Sequence, residues 1–128
     1  MNTACETRVF IVDDSPAITE RLQEIVESIA GATVCGKAAT PAEAIAGILE
    51  TRPACALLDY QLDGGTCVDV LDAVRSLVPQ TLFIVLTNHS GSAHRRICMS
   101  AGADHFFDKS TEFERMTEII RSLRQSAN

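Results

Sequence analysis

Two adjacent carboxylates, Asp13 and Asp14, follow directly on the first apolar run, Arg8-Val9-Phe10-Ile11-Val12. A second run, Ala54-Cys55-Ala56-Leu57-Leu58, stops at Asp59, and two later runs stop at Thr87 and Lys109. Each run is short, apolar and bounded by polar residues, the pattern of a buried strand. In an open parallel sheet the carboxyl ends of the strands border the ligand crevice. The pattern therefore gathers three carboxylates, a hydroxyl and an ammonium on one rim. Like charges about 4 Å apart repel by roughly 4 kcal/mol at an effective dielectric near 20. A chain tolerates such crowding when a divalent cation or a proton occupies it. Mg²⁺ matches the donors, because it takes one or two carboxylates, keeps several waters and completes its shell with a phosphate oxygen. Asp59 is the candidate nucleophile, since a carboxylate accepts a phosphoryl group to give an aspartyl phosphate. Phosphoryl transfer needs positioning and charge neutralisation more than proton chemistry. Lys109 supplies a point charge on a flexible stem for that purpose, and Thr87 a hydroxyl donor. Taken singly, these residues read as helix-start acids, a loop aspartate, a turn threonine and a solvated lysine. Taken together, those readings require several coincidences on one sheet edge.

The elements that must carry this rim alternate along the chain. Ser15-Pro16 is a helix start with a hydroxyl N-cap and proline at the first helical position. Ile18, Leu22, Ile25 and Ile29 follow at helical spacing, and Gly31 ends the segment. Thr33 to Ala38 reads as a short strand. Thr40-Pro41-Ala42-Glu43 fits a capping box, with Ile45, Ile48 and Leu49 as the inner face. Gly64-Gly65 marks a loop, and Thr66-x-x-Asp69 opens a third helix with Val70, Val74, Leu77 and Val78 on its apolar side. Thr81 to Leu86 is a strand, Ser92 to Ala101 a poorly apolar helix ended by Gly102, and His105 to Asp108 the last strand. Thr111-x-x-Glu114 caps a final helix carrying Phe113, Met116, Ile120 and Leu123. Apolar strands alternating with amphipathic helices predict a parallel α/β sheet covered on both faces, with right-handed crossovers.

The 128 residues suit one domain with one core. A net charge of −6 argues against nucleic acid as a direct partner, because phosphate binding needs a basic face; Arg95-Arg96 is the only adjacent basic pair. No apolar run spans a bilayer and no secretory signal opens the chain, so a cytoplasmic protein with no membrane contact is expected. Five cysteines without a Cys-x-x-Cys spacing indicate neither a disulfide framework nor a zinc site. They read as small buried hydrophobes in a reducing compartment.

With the acidic pair, Asp59, Thr87 and Lys109 each ending its expected strand, the chain resembles the receiver domain of two-component response regulators from about Arg8 to Leu123. The resemblance implies a flavodoxin-like, doubly wound (βα)5 parallel sheet of strand order 2-1-3-4-5, forming a single domain over 1–128 with its core at about 8–124. It implies Mg²⁺ held by Asp13, Asp14, Asp59 and the backbone carbonyl of Gln61, with Asp59 as phosphoacceptor. Thr87, Lys109 and the aromatic position at Phe106 become the phosphoryl-binding and switch residues. Gln61 and His89 occupy the positions that set the lifetime of the phosphoryl group. Gln61 can orient a water; His89 either bonds the phosphoryl group or, the favoured reading, sits in solvent. Phe106 is either the switching aromatic or a plain core phenylalanine. The implied readout face is the fourth helix, fifth strand and last helix, including Arg95, Arg96, His105 and Glu112. The implied partners are a histidine kinase or phosphotransfer protein and a downstream protein target, for a monomer or weak homodimer in a phosphorelay. No output domain is expected after the last helix, which ends near Arg124 with Gln125 to Asn128 as a tail.

Three positions depart from the family pattern. Ser110 follows Lys109 where proline is usual, so no cis peptide is expected there. Gly64-Gly65 replaces a proline-glycine turn, which suggests a looser loop. Asn88 stands where a small residue is common and narrows access to Asp59. Beside Lys109, Asp108 is a competitor for its ammonium. The leading function is a phosphorylation-controlled switch that promotes its own phosphorylation and dephosphorylation without being a turnover enzyme. The alternative is a phosphate-independent protein-binding pseudo-receiver. A Mg²⁺-dependent phosphatase ranks last, because Gln61 cannot serve as a carboxylic acid two residues past the nucleophile.

Overall fold

The computed structural model describes residues 6–88 and 91–126. Its strands are β1 (Thr7–Val12), β2 (Ala32–Ala38), β3 (Cys55–Leu58), β4 (Leu82–Thr87) and β5 (His105–Asp108). Its helices are α1 (Pro16–Glu27), α2 (Pro41–Thr51), α3 (Cys67–Val74), α4 (Ser92–Ala101) and α5 (Phe113–Ser126). The five strands pair in parallel in the order 2-1-3-4-5, the flavodoxin-like arrangement expected. Register aligns Val12 with Leu58, Leu58 with Val85, and Thr87 with Asp108. β1 and β3 end opposite Val85, β4 and β5 run two residues further, and the residues just beyond these four strands share one rim.

Strand alternation sorts the core into two layers. Val9, Ile11, Cys55, Leu57, Ile84, Leu86 and Phe107 meet Leu22 and Val26 of α1 and Met116 and Ile120 of α5. Phe10, Val12, Ala56, Leu58, Phe83, Val85 and Phe106 face α2, α3 and α4 on the opposite side. Both faces are covered, which is why the strands are apolar along their whole length. Pairing of β1 with β2 slips between Val9 and Phe10, leaving Cys35 as the extra residue of a bulge. The slip sets Gly36 beside the Phe10 ring, where an added Cβ would lie 2.5 Å from the ring.

Local signals located most helix starts. The Ser15 hydroxyl accepts from the Ile18 N–H. The Thr40 hydroxyl accepts from the Glu43 N–H, but the Glu43 carboxylate reaches back to the Ala39 N–H, one residue earlier than in a standard box. Thr66 and Asp69 form a complete reciprocal box. Gly102 ends α4 with φ +117°, a left-handed cap that glycine accommodates.

Other details differ from expectation. Helix α1 stops at Glu27 rather than at Gly31, though Ile29 still reaches the core. Helix α3 stops at Val74, so Leu77 leaves the apolar face and is 53% exposed. Thr111 does not cap α5, which begins at Phe113; the Glu112 carboxylate instead accepts from the Asp108 N–H at 2.7 Å. Helix α5 also runs on to Ser126, through part of the expected tail. No helix among the described residues is long and apolar enough to cross a membrane.

Candidate functional site

The rim is assembled by backbone continuation beyond the strands. The Asp13 N–H donates to the Ala38 carbonyl, the Asp59 N–H to the Val12 carbonyl, and the Lys109 N–H to the Thr87 carbonyl, at 3.0, 2.9 and 3.0 Å. Each residue thus extends the ladder by one step, and its side chain points over the sheet edge. Asp13 is only 3% exposed and Lys109 only 8%. One carboxylate oxygen of Asp13 accepts the Ser15 N–H at 2.9 Å, tying it to the start of α1. The other accepts the Lys109 ammonium at 2.7 Å. The same ammonium lies 3.3 Å from the Asp59 carboxylate. Lys109 is therefore a bridge between two carboxylates that are 46 residues apart in the chain.

Asp14 completes the group on the solvent side. Carboxylate oxygens of Asp13, Asp14 and Asp59 all lie within 4.8 Å of one another. One ammonium faces three carboxylates there, and the charge left over matches a divalent cation. The donors are all hard oxygens, the set preferred by Mg²⁺ or Ca²⁺ rather than by a thiophilic metal. The Asp59 carboxyl is raised above its ordinary value, first by burial; Lys109 opposes this and the Asp13 charge adds to it. A cavity of about 480 Å³ lies beside the pair, lined by Asp13, Asp14, Thr19, Gln23, Lys37 and Glu43 among others.

Thr87 ends β4 fully buried at the same rim. Gln61 is exposed in a two-residue hairpin strand, Gln61–Leu62, which pairs with Gly65–Thr66. The Gly64-Gly65 turn is more constrained than expected: Gly64 has φ +90°, and a Cβ on Gly65 would meet the Asp69 carboxylate at 2.5 Å. Phe106 is inward, 4% exposed. His89 lies outside the described residues. The described residues hold no cis peptide bond. Asp108 turns its carboxylate back to the Ser110 N–H and hydroxyl, while the Lys109 ammonium goes to Asp13 and Asp59.

Three contacts made by α4 were not legible in the sequence. The Tyr60 ring meets His94 of α4 edge-on at 4.7 Å between centroids. The Arg95 guanidinium donates to the Phe106 carbonyl at 3.2 Å and lies 5.9 Å from that ring. Cys67 and Cys98 place their sulfurs 3.6 Å apart. Each contact joins α4 to another element, and no motif links such distant positions.

Comparison with known proteins agrees with this geometry. Residues 9–121 match the family described as the response regulator receiver domain. The nitrate/nitrite response regulator protein NarP of Escherichia coli is 30% identical over 95% of this chain and 57% of its own length. A nitrate/nitrite response regulator protein homolog of Haemophilus influenzae is 25% identical, over 92% of this chain and 57% of its own. The chain thus spans little more than half the length of these curated relatives. Among solved structures, the signal receiver domain of the putative response regulator NarL from Mycobacterium tuberculosis has a TM-score of 0.82 at 29% identity, covering 95% of this chain and 96% of that one. A LuxR-family two-component response regulator from Aurantimonas has a TM-score of 0.86 at 26% identity, covering 94% of this chain and 86% of its own. On the sequence match, the sheet order and the grouping of acids at its carboxyl edge, this chain belongs to the response regulator receiver domain family.

Proposed function

We propose that this chain is a phosphorylation-controlled signalling switch, with Asp59 as the residue that accepts the phosphoryl group. The observation that carries this reading is the Lys109 ammonium set between Asp13 and Asp59 at 2.7 and 3.3 Å. In the transfer, an Asp59 carboxylate oxygen attacks phosphorus, the bond to the donor breaks, and the donor leaves with its electron pair. Lys109 sits where it can follow the incoming negative charge from Asp59 to the phosphoryl oxygens. Thr87, buried at the rim, donates its hydroxyl to the phosphoryl group once that group is present. Asp13, Asp14, Asp59 and the Gln61 carbonyl would hold Mg²⁺, which supplies neutralisation of the phosphoryl charge. Gln61 and His89 would set how long the phosphoryl group lasts. The chain would act as a phosphoacceptor rather than a turnover enzyme.

The donor would be a histidine kinase or phosphotransfer protein in the cytoplasm, and the output a protein contact made through α4, β5 and α5 by a monomer or weak homodimer. Intact-mass measurement after treatment with a small acyl phosphate tests the reading. One phosphoryl adduct is expected with Mg²⁺ and none after chelation or in Asp59→Asn. An unmodified wild-type chain, or an adduct that persists in Asp59→Asn, would falsify it.

Phe106, inward at 4% exposure and without a phenolic hydroxyl to draw it toward solvent, favours a second reading, a module that binds its partner regardless of phosphate. Equal partner affinity before and after donor treatment, by calorimetry, would select it.

A further inference from the structure

Two thiols touch away from the acidic rim. Cys67 opens α3 and Cys98 lies on α4; both are fully buried in the same apolar cluster, with their sulfurs 3.6 Å apart. A disulfide needs about 2.05 Å, so a small approach of α4 to α3 closes the gap. Hydrogen bonding within the pair lowers Cys98 and, together with burial, raises Cys67. Either thiol can donate to the other, so whichever sulfur loses its proton keeps a hydrogen bond from its neighbour.

Access follows from how α4 is held. Cys98 is the one fully buried residue of α4, whereas α3 buries four. Local opening is easiest where few apolar side chains are buried, so α4 can lift and expose both sulfurs without global unfolding. The pair is also wired to the rim. The Cys67 N–H donates to the carbonyl of Tyr60, the residue after Asp59, at 2.9 Å. Helix α4 in turn carries His94 against Tyr60 and Arg95 against Phe106.

The geometry points to an oxidisable dithiol: Cys67 and Cys98 join as an intramolecular disulfide, driven by a peroxide, that pins α4 to α3. In the first step the peroxide O–O bond breaks, one sulfur takes an oxygen as a sulfenic acid, and water leaves. In the second step the other thiolate attacks that sulfur, the S–S bond forms, and the hydroxyl departs with the remaining thiol proton as a second water. Two electrons pass from the sulfurs to the peroxide. Formation of the bridge rests on the fold alone; its effect on signalling rests on the proposed phosphoryl switch.

The test uses the full chain treated with hydrogen peroxide and then N-ethylmaleimide, with no phosphoryl donor present. Expected are loss of two hydrogens from the intact mass, two fewer maleimide adducts, and a peptide pair joining residues 67 and 98. Cys67→Ser and Cys98→Ser each lose the cross-link, and Cys35→Ser and Cys55→Ser keep it. Cys67→Ala and Cys98→Val, checked by circular dichroism, separate lost chemistry from lost folding. In the oxidised chain, amide exchange across 92–101 slows at least tenfold. Overoxidised single cysteines, bridges to any other cysteine, or a 67–98 bridge that leaves exchange across 92–101 unchanged overturn the proposal. Failure of acyl-phosphate labelling would leave these readouts intact, so the two proposals are told apart.

Discussion

Asp59 carries a conflict that defines the site. Its carboxylate is withdrawn from water beside another carboxylate, and a single ammonium must serve both. Burial raises its carboxyl above the ordinary 3.8, so the folded chain holds a proton over an interval in which the unfolded chain has released it. Stability therefore falls as pH rises through that interval. Asp59→Asn removes the penalty: it raises the melting temperature at neutral pH, and the gain shrinks toward zero as pH drops below 3.8, which thermal melts across pH will show. A divalent cation held by Asp13, Asp14 and Asp59, as proposed, would act in the other direction. At Mg²⁺ about 100-fold above its dissociation constant, the wild type gains about 2.7 kcal/mol and Asp59→Asn gains less. Lys109→Met leaves Asp13 buried without its cation, a change that costs about 3–5 kcal/mol. Urea denaturation measures the loss, and Mg²⁺ restores part of it. Asp13, Asp59 and Lys109 were legible as candidates because each ends an apolar strand. That Lys109 bridges the two acids was not, because the distance between their side chains depends on strand order.

Among the elements, α2 is fitted to β1 around one ring. Phe10 lies against Gly36 of β2 and Gly47 of α2, and a Cβ on either glycine would fall within 3 Å of it. Alanine in a helix interior is normally favoured over glycine by about 1 kcal/mol. Gly47→Ala is nonetheless expected to destabilise by about 1–3 kcal/mol, because the ring is enclosed and overpacking dominates. A second change, Phe10→Leu, recovers part of the loss, and chemical denaturation of the single and double variants measures the coupling. Caps at Ser15, Thr40 and Thr66 were readable because they join residues two to four apart. Leu77 was misplaced because periodicity continues past the point where α3 ends, after Val74. There Arg75 gathers the carbonyls of Val78, Pro79 and Thr81 and the carboxylate of Asp104 into a turn. Thr111 was misplaced because the Asp108–Glu112 contact takes over the turn before α5.

For the whole molecule, the helices differ in how firmly the core holds them. Helices α1 and α5 each place two fully buried side chains against the sheet, while α4 places one, Cys98. Ile97 and Met99 of α4 remain 47% and 37% exposed. Native-state hydrogen exchange should therefore show α4 opening at lower free energy than the other four helices, with α1 and β1 near the global value. Equal protection of α4 and α1 would contradict this distribution. A net charge of −6 leaves direct nucleic-acid binding unfavourable for these residues.

Short-range physics made much of this protein readable in one dimension. Strand runs, helix periods and caps follow from contacts within about one helical turn, and they placed Asp13, Asp59, Thr87 and Lys109 at strand ends. Only the tertiary structure decided that α4 touches Tyr60, Phe106 and Cys67, that Phe10 needs two glycines, and that one lysine bridges two aspartates. Those contacts join residues far apart in the chain, and their distances are set by how sheet and helices stack. No local preference encodes that.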